Sequence, residues 1–159
     1  MTRLELPQDY VDLLLELHDA RVEFVVLGGW AVAVHGHGRA TDDLDVLVRP
    51  TPENAVRVYD ALQRFGAPLE AHGVTVELFS KPQYGYRIGV KPVLIELLTS
   101  VSGIDFDEAA SERVTVQIDG RAIPVIGRKA LLANKRAAGR LKDLADVEAL
   151  ESDPNGDGD

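Results

Sequence analysis

The sequence predicts an α/β (α+β) fold, in which helices flank a mixed central β-sheet. Short runs rich in β-branched and aromatic residues alternate with longer amphipathic segments, which indicates strands interleaved with helices. The chain has 159 residues, a length that suits one domain with a sizeable core. We therefore expect a single domain over residues 1–150, followed by a disordered acidic tail at 151–159.

Composition narrows the classes of protein to consider. The formal net charge of −9 argues against broad, non-specific binding of nucleic acid. The chain has no cysteine, which excludes disulfides and thiolate metal sites. It has no apolar run long enough to cross a membrane and no signal segment, so we expect a cytoplasmic protein without membrane partners.

The first predicted element is a helix from Pro7 to Arg21. Four residues recur at spacings of three and four and should form its buried face: Val11, Leu14, Leu15 and His18. This face is expected to pack against the sheet.

The stretch at 24–48 is the one around which the chain is organised. An apolar run at 24–27 predicts a strand, and the pair Gly28-Gly29 allows a sharp turn with open backbone N–H groups. A helix after that turn would offer a positive end to an anion such as a triphosphate. On the next predicted strand, Asp43 and Asp45 alternate with apolar residues, so both carboxylates point to one face. Such a pair favours a hard divalent cation, Mg²⁺ above all.

The following segments are predicted in chain order. Thr51 as N-cap and Pro52 open a helix that can end at Gly66, with a buried stripe of apolar residues: Ala55, Val58, Leu62 and Phe65. Residues 73–86 favour either a strand or a short helical turn, and we prefer the short helix. Two strands follow at 84–89 and 93–98, and the second is apolar except for Glu96. A lone carboxylate there is either a salt-bridged edge residue or part of a site with Asp43 and Asp45.

The C-terminal third combines a hairpin with helices. After a polar helical segment at 105–112, residues 114–118 and 122–126 predict a hairpin that turns at Asp119-Gly120, and Pro124 marks its strand as an edge. Residues 128–150 predict a helix that Gly139 can kink or split. On one continuous helix, Lys135, Lys142 and Asp146 would share an exposed polar stripe.

Taken together, Leu27-Gly28-Gly29 and Asp43-Leu44-Asp45-Val46 resemble the motif of the nucleotidyltransferase superfamily of the DNA polymerase β type. The run from Lys135 to Asp146, with Arg39 and Thr41 ahead of the aspartates, also resembles bacterial minimal nucleotidyltransferases of the abortive-infection toxin type.

These resemblances imply an enzyme with a polymerase-β-like core that moves an NMP from an NTP to a hydroxyl acceptor. Asp43, Asp45 and Glu96 would be catalytic and would hold two Mg²⁺, with Mn²⁺ as an alternative ion. The implied nucleotide-binding residues are Gly28, Gly29, Arg39, Thr41, Lys135 and Lys142.

The sequence does not identify the acceptor of the nucleotidyl group or the partner proteins. The acceptor could be a tRNA 3′ end, a protein or a small molecule, and the toxin-type resemblance implies a cognate toxin or antitoxin partner. Two other classes are retained: a catalytically silent nucleotide- or metal-binding module resembling an antitoxin, and an interaction protein with an acidic face.

Overall fold

The computed structural model describes residues 6–36 and 41–152. Its six strands are β1 Phe24–Leu27, β2 Asp43–Val48, β3 Gly85–Ile88, β4 Leu94–Leu98, β5 Val114–Ile118 and β6 Arg121–Val125. Its α-helices are α1 Gln8–Asp19, α2 Gly28–Val34, α3 Pro52–Phe65, α4 Phe106–Ala110, α5 Arg128–Ala138 and α6 Leu141–Glu151. A short 3₁₀ helix spans Val76–Ser80, which confirms the preference for a short helix in that segment.

The strands form one mixed sheet in the order β3-β4-β2-β1-β6-β5. β1 and β2 pair antiparallel, whereas β2 and β4 pair parallel, as do β1 and β6. The β1–α2–β2 unit at the centre is the stretch that the sequence marked as the organising one. The sheet and its flanking helices confirm the predicted fold class.

Helix α3 forms where its capping residues predict it. The Thr51 side chain accepts a hydrogen bond from the backbone N–H of Asn54, and Pro52 occupies the first turn. Gly66 ends the helix with φ +99°, a conformation that glycine adopts without steric cost. Ala55, Val58 and Leu62 are buried as expected, and Phe65 is partly buried.

The buried face of α1 differs from the prediction. Tyr10, Leu13, Leu14 and Leu17 are fully buried, whereas His18 is exposed and Val11 and Leu15 are only partly buried. The predicted stripe was therefore displaced around the helix axis. Adjacent apolar residues at 13–15 allow more than one stripe, and the surface on which the helix packs selects between them.

The expectation that Pro124 lies on an edge strand is wrong. β6 lies between β1 and β5, and Pro124 faces Thr115 of β5. Proline is tolerated because β1 and β6 pair in register only at Val26 and Val125, so few ladder hydrogen bonds are at stake there.

The predicted helix at 128–150 is split in two. Gly139 has φ +68° and ends α5, and α6 begins at Leu141. The two helices pack against each other, so residues on either side of Gly139 do not share the single polar stripe that was predicted. Leu141, the first residue of α6, is 88% exposed.

The C-terminal boundary differs slightly from the expectation. Glu151, which was assigned to the disordered tail, is the last residue of α6 and pairs with Arg136. The rest of that tail, from residue 153, lies outside the described residues. Within the described ranges, no helix is long and apolar enough to span a bilayer.

Candidate active site

A cleft of about 830 Å³ lies at the face of the sheet that carries Asp43 and Asp45. Its walls come from β2 and β4, from the Gly28-Gly29 turn, and from α5 and α6. Asp43, Asp45 and Glu96 all line this cleft. The fold thus brings together the three carboxylates that the sequence singled out.

The register of the sheet explains how the carboxylates meet. β2 and β4 are adjacent parallel strands, and Asp45 lies directly opposite Glu96. Residues that face each other across neighbouring strands project to the same side of a sheet, and Asp43 shares that side because it lies two residues from Asp45. Glu96 therefore faces the same side as the aspartates, as the sequence predicted for a shared site.

Asp45 carries the clearest electrostatic signature of the cleft. Burial of its carboxylate, together with repulsion from Asp43 and Glu96, raises the pKa of Asp45 to about 6, although Lys135 and Lys142 oppose the rise. A bound cation would stabilise the charged form of a carboxylate in this position. The fold therefore concentrates negative charge where a cation can offset it.

Gly28 lets this carboxylate lie against the backbone turn. The glycine has φ +71°, and a Cβ built on it would lie 2.2 Å from Oδ2 of Asp45. Any side chain at position 28 would displace the Asp45 carboxylate. The role predicted for Gly28 was nucleotide binding, and the structure adds this close approach to Asp45.

Glu96 has a partner that the sequence analysis did not identify. Nε of Arg87, on the neighbouring strand β3, donates to Oε2 of Glu96 at 2.8 Å. Arg87 lies directly opposite Glu96 in the antiparallel β3–β4 register. Of the two interpretations offered for Glu96, the structure shows the salt bridge, and it places the Glu96 side chain in the same cleft as Asp43 and Asp45. A shared metal site with the aspartates stays a prediction. Only knowledge of the strand register could have identified Arg87.

Lys135 does not lie on an exposed polar stripe, and that prediction is wrong. It is only 5% exposed, and its Nζ lies 3.3 Å from Asp143 and 3.0 Å from Asp146. The break at Gly139 turns α6 back onto α5 and brings both carboxylates to the lysine. Lys135 still lines the cleft, but as a member of a buried ionic group.

Asp143 also forms an ion pair with a second cation, Arg140. Arg140 donates from Nε to Oδ2 of Asp143 at 2.6 Å and from Nη2 to Oδ1 at 3.2 Å. Burial alone would raise the pKa of Asp143, but the bonds from Arg140 and Lys135 outweigh burial and hold it below its usual range. We did not predict Arg140 as a site residue, although its position beside Lys142 in the basic run was a usable signal.

The remaining predicted residues have different outcomes. Lys142 and Thr41 both line the cleft; Lys142 is exposed, and Thr41 is partly buried. The Thr41 hydroxyl donates to the backbone carbonyl of Asp43 at 2.9 Å, so it holds the end of β2. Arg39 lies outside the described residues.

The carboxylates fit a hard divalent cation by their chemistry. Asp43 and Asp45 present oxygen ligands on one face, and the raised pKa of Asp45 reflects its burial first and repulsion from Asp43 and Glu96 second. Among the described residues, no three histidine, cysteine or acidic side chains are grouped closely enough to hold a metal together. Glu96 is paired with Arg87 instead of joining the two aspartates.

The fold is that of the polymerase-β-like nucleotidyltransferases. The aminoglycoside-2″-adenylyltransferase family model matches residues 10–150. The chain belongs to that family and is accordingly an NTP-dependent nucleotidyltransferase. A comparison with curated protein sequences gives no match.

Solved structures show the same fold at low sequence identity. The lincomycin-bound lincosamide antibiotic adenylyltransferase LnuA is 14% identical with a TM-score of 0.57, and the match covers 94% of this chain and 99% of LnuA. The antibiotic-resistance factor ANT(2″)-Ia is 14% identical with a TM-score of 0.58, over 92% of this chain and 85% of that one. A putative nucleotidyltransferase from Thermotoga maritima is 15% identical with a TM-score of 0.54, over 93% and 94% of the two chains.

Proposed function

We propose that this protein transfers the adenylyl group of ATP to a hydroxyl group of a small molecule. The observation that carries the proposal is the placement of Asp43, Asp45 and Glu96 on one face of adjacent strands in a single cleft. The family model, which describes an adenylyltransferase, supports ATP as the nucleotide. The lincosamide named for LnuA and the aminoglycoside named in the family description support a small-molecule acceptor.

The triphosphate is proposed to lie against the Gly28-Gly29 turn and the basic side chains at the start of α6. The turn lines the cleft beside Asp45, and its open backbone N–H groups suit phosphate oxygens. Lys142 is exposed at the same cleft and makes no ion pair with another described residue, so it is available to phosphate. Arg140 lies beside it, already oriented by Asp143.

Asp43 and Asp45 are the proposed ligands of Mg²⁺, with Glu96 as a third ligand once it is released from Arg87. When bound, divalent ions in such a site neutralise the phosphates and the leaving pyrophosphate. The carboxylates also determine where the nucleotide lies. Most of the rate enhancement is then positioning and charge stabilisation.

The proposed reaction is an in-line displacement at the α-phosphorus. The acceptor oxygen forms a bond to the α-phosphorus as the bond to the bridging oxygen of the β-phosphate breaks, and pyrophosphate leaves. The hydroxyl proton passes to the Glu96 carboxylate or to water. Arg87 is placed to hold Glu96 before the acceptor binds, because the two side chains are 2.8 Å apart.

Transfer of radiolabel from ATP tests this function. The protein is incubated with Mg²⁺ and a small-molecule extract of bacterial cells, with the label on either the α- or the γ-phosphate of ATP. We expect label in a new product only from α-labelled ATP, and none with Asp45→Asn. Mg²⁺-dependent ATP binding without any transfer would instead favour the catalytically silent module. Absence of ATP binding would favour the interaction protein.

The same assay addresses the wider set of acceptors. A tRNA 3′ end, a protein acceptor and a toxin–antitoxin partner stay predictions of the sequence resemblance, as does a cytoplasmic location. Label that enters RNA or protein fractions instead of small molecules would replace the acceptor proposed here. The family description and the lincosamide adenylyltransferase LnuA are the reason for preferring a small molecule.

A further inference from the structure

We infer that the acceptor is a small polyhydroxylated compound that is uncharged or anionic, and that a polycationic aminoglycoside is not the substrate. This inference rests on the proposed function, because it concerns the acceptor of the same cleft. It departs from the acceptor that the family description suggests. The charged groups of the cleft that are already paired limit which acceptor it can bind.

A polycation would need carboxylates that are free to bind ammonium groups. The described residues lining the cleft include five acidic side chains: Asp42, Asp43, Asp45, Glu96 and Asp143. Asp143 is fully buried and shared by Lys135 and Arg140, and Glu96 is paired with Arg87. Asp43 and Asp45 are the proposed metal ligands. Only the exposed Asp42 is left for an acceptor among these five.

The basic side chains are less fully engaged. Lys91 and Lys142 line the cleft, are exposed, and form no ion pair with another described residue. Arg87 pairs with Glu96 but is 70% exposed, so its remaining donors face solvent. Arg87 lies on β3, on the side of β4 away from Gly28, where the acceptor is expected if the triphosphate occupies the turn. Lys91 lines the same cleft, and the positive charges of these two exposed side chains disfavour a polycation.

The cleft continues into a smaller hollow whose lining is neutral. This hollow of about 340 Å³ shares four residues with the cleft: Leu98, Ser100, Val101 and Ser102. Gln83, Tyr84 and Gly85 complete it, and none of its lining residues is a carboxylate. The Ser100 hydroxyl oxygen accepts from the backbone N–H of Gln83 at 2.8 Å, so its own hydrogen is available to an acceptor hydroxyl. Hydroxyl and amide groups of this kind suit a sugar-like compound.

Lys91 offers a direct test by charge reversal. Small molecules extracted from bacterial cells are separated before the reaction into a fraction retained by a strong cation exchanger and a fraction that passes through. Each fraction, and tobramycin alone, is incubated with α-labelled ATP, Mg²⁺ and the wild-type protein. Lys91→Glu is compared with Lys129→Glu, which makes the same change in net charge at an exposed residue of α5 outside the cleft.

We expect wild-type label only in the fraction that passes through. Lys91→Glu should lower kcat/KM for an anionic acceptor about tenfold, while Lys129→Glu stays near wild type. Label on tobramycin, or in the retained fraction at equal or greater efficiency, would overturn the inference and leave nucleotidyl transfer intact. No labelled product in any fraction would contradict the proposed function itself, and this inference with it.

Discussion

At the residue scale, Asp45 links stability to function. Its pKa is raised to about 6 in the fold, above the ordinary aspartate value, so the folded state binds the proton more tightly than the unfolded state does. The wild type therefore gains stability as the pH falls from about 6 to about 4, and it carries an electrostatic cost near neutral pH.

Asp45→Asn should remove that cost. In EDTA near neutral pH, we expect its free energy of unfolding to rise by about 1–3 kcal/mol, with a gain that shrinks as the pH falls below about 6. Denaturant titrations at several pH values measure this difference. A large loss of stability in the variant at neutral pH would contradict a charge-strained carboxylate at this site.

Lys135 is a structural cation as well as a cleft residue. Lys135→Ala leaves Asp143 and Asp146 without their shared lysine, and breaking a buried ion pair of this kind costs about 3–5 kcal/mol. Because Asp143 has a lowered pKa, the stabilisation is present at neutral pH and is lost as the pH falls through the acidic range.

Lys142→Ala is the matched control for Lys135→Ala, because Lys142 is exposed on the same cleft. Its effect on stability should lie within about 0.5 kcal/mol. Thermal or denaturant melts of both variants check the prediction. Equal stability of the two variants would show that the buried ionic group contributes little.

At the scale of elements, the turn between β1 and α2 positions the carboxylate of β2. Gly28→Ala combines a left-handed backbone with a methyl group 2.2 Å from Asp45 Oδ2. Gly66→Ala is its matched control, because Gly66 also has positive φ, +99°, but nothing lies within 4 Å of an added Cβ. Both variants should lose about 1–2 kcal/mol to backbone strain. Only Gly28→Ala should also lose at least about 100-fold in kcat, measured well below its melting temperature.

Elements with their own local signals could be predicted from the sequence. The caps of α3 and the turn at Asp119-Gly120 depend on neighbouring residues, and both occur as expected. The position of Pro124 on an inner strand and the buried face of α1 depend on partners distant in sequence. The split at Gly139 could be predicted from the glycine itself. The direction in which α6 turns could not be predicted from it, and this direction buries Lys135.

In the candidate site, too, features set by neighbouring residues could be predicted, whereas a contact set by strand pairing alone could not. Alternation along a strand predicts that Asp43 and Asp45 share a face, and the register of β2 with β4 adds Glu96 as expected. Arg87 was missed because its pairing with Glu96 exists only through the β3–β4 register. The catalytic and binding roles assigned to these residues stay predictions.

At the scale of the whole molecule, ligand binding should be visible as stability. ATP with Mg²⁺ binds only the folded chain in this account, so together they should raise the melting temperature in proportion to the logarithm of ATP concentration. EDTA should abolish the rise, and Asp45→Asn should show none. The stability order of wild type and variant then reverses between metal-free and ligand-saturated conditions. A shift of equal size in the variant would remove Asp45 from the nucleotide site.

Transfer by Glu96→Gln, measured together with its nucleotide affinity, shows whether the three carboxylates act as one catalytic group. Glu70→Gln, at an exposed residue outside the active-site cleft, is the control. If the three carboxylates form one catalytic group, Glu96→Gln should bind ATP within about twofold of wild type and lose at least about 100-fold in transfer, because an amide is a poorer metal ligand and accepts no proton. Unchanged turnover in Glu96→Gln would show that this carboxylate serves only to pair with Arg87, and would contradict the mechanism.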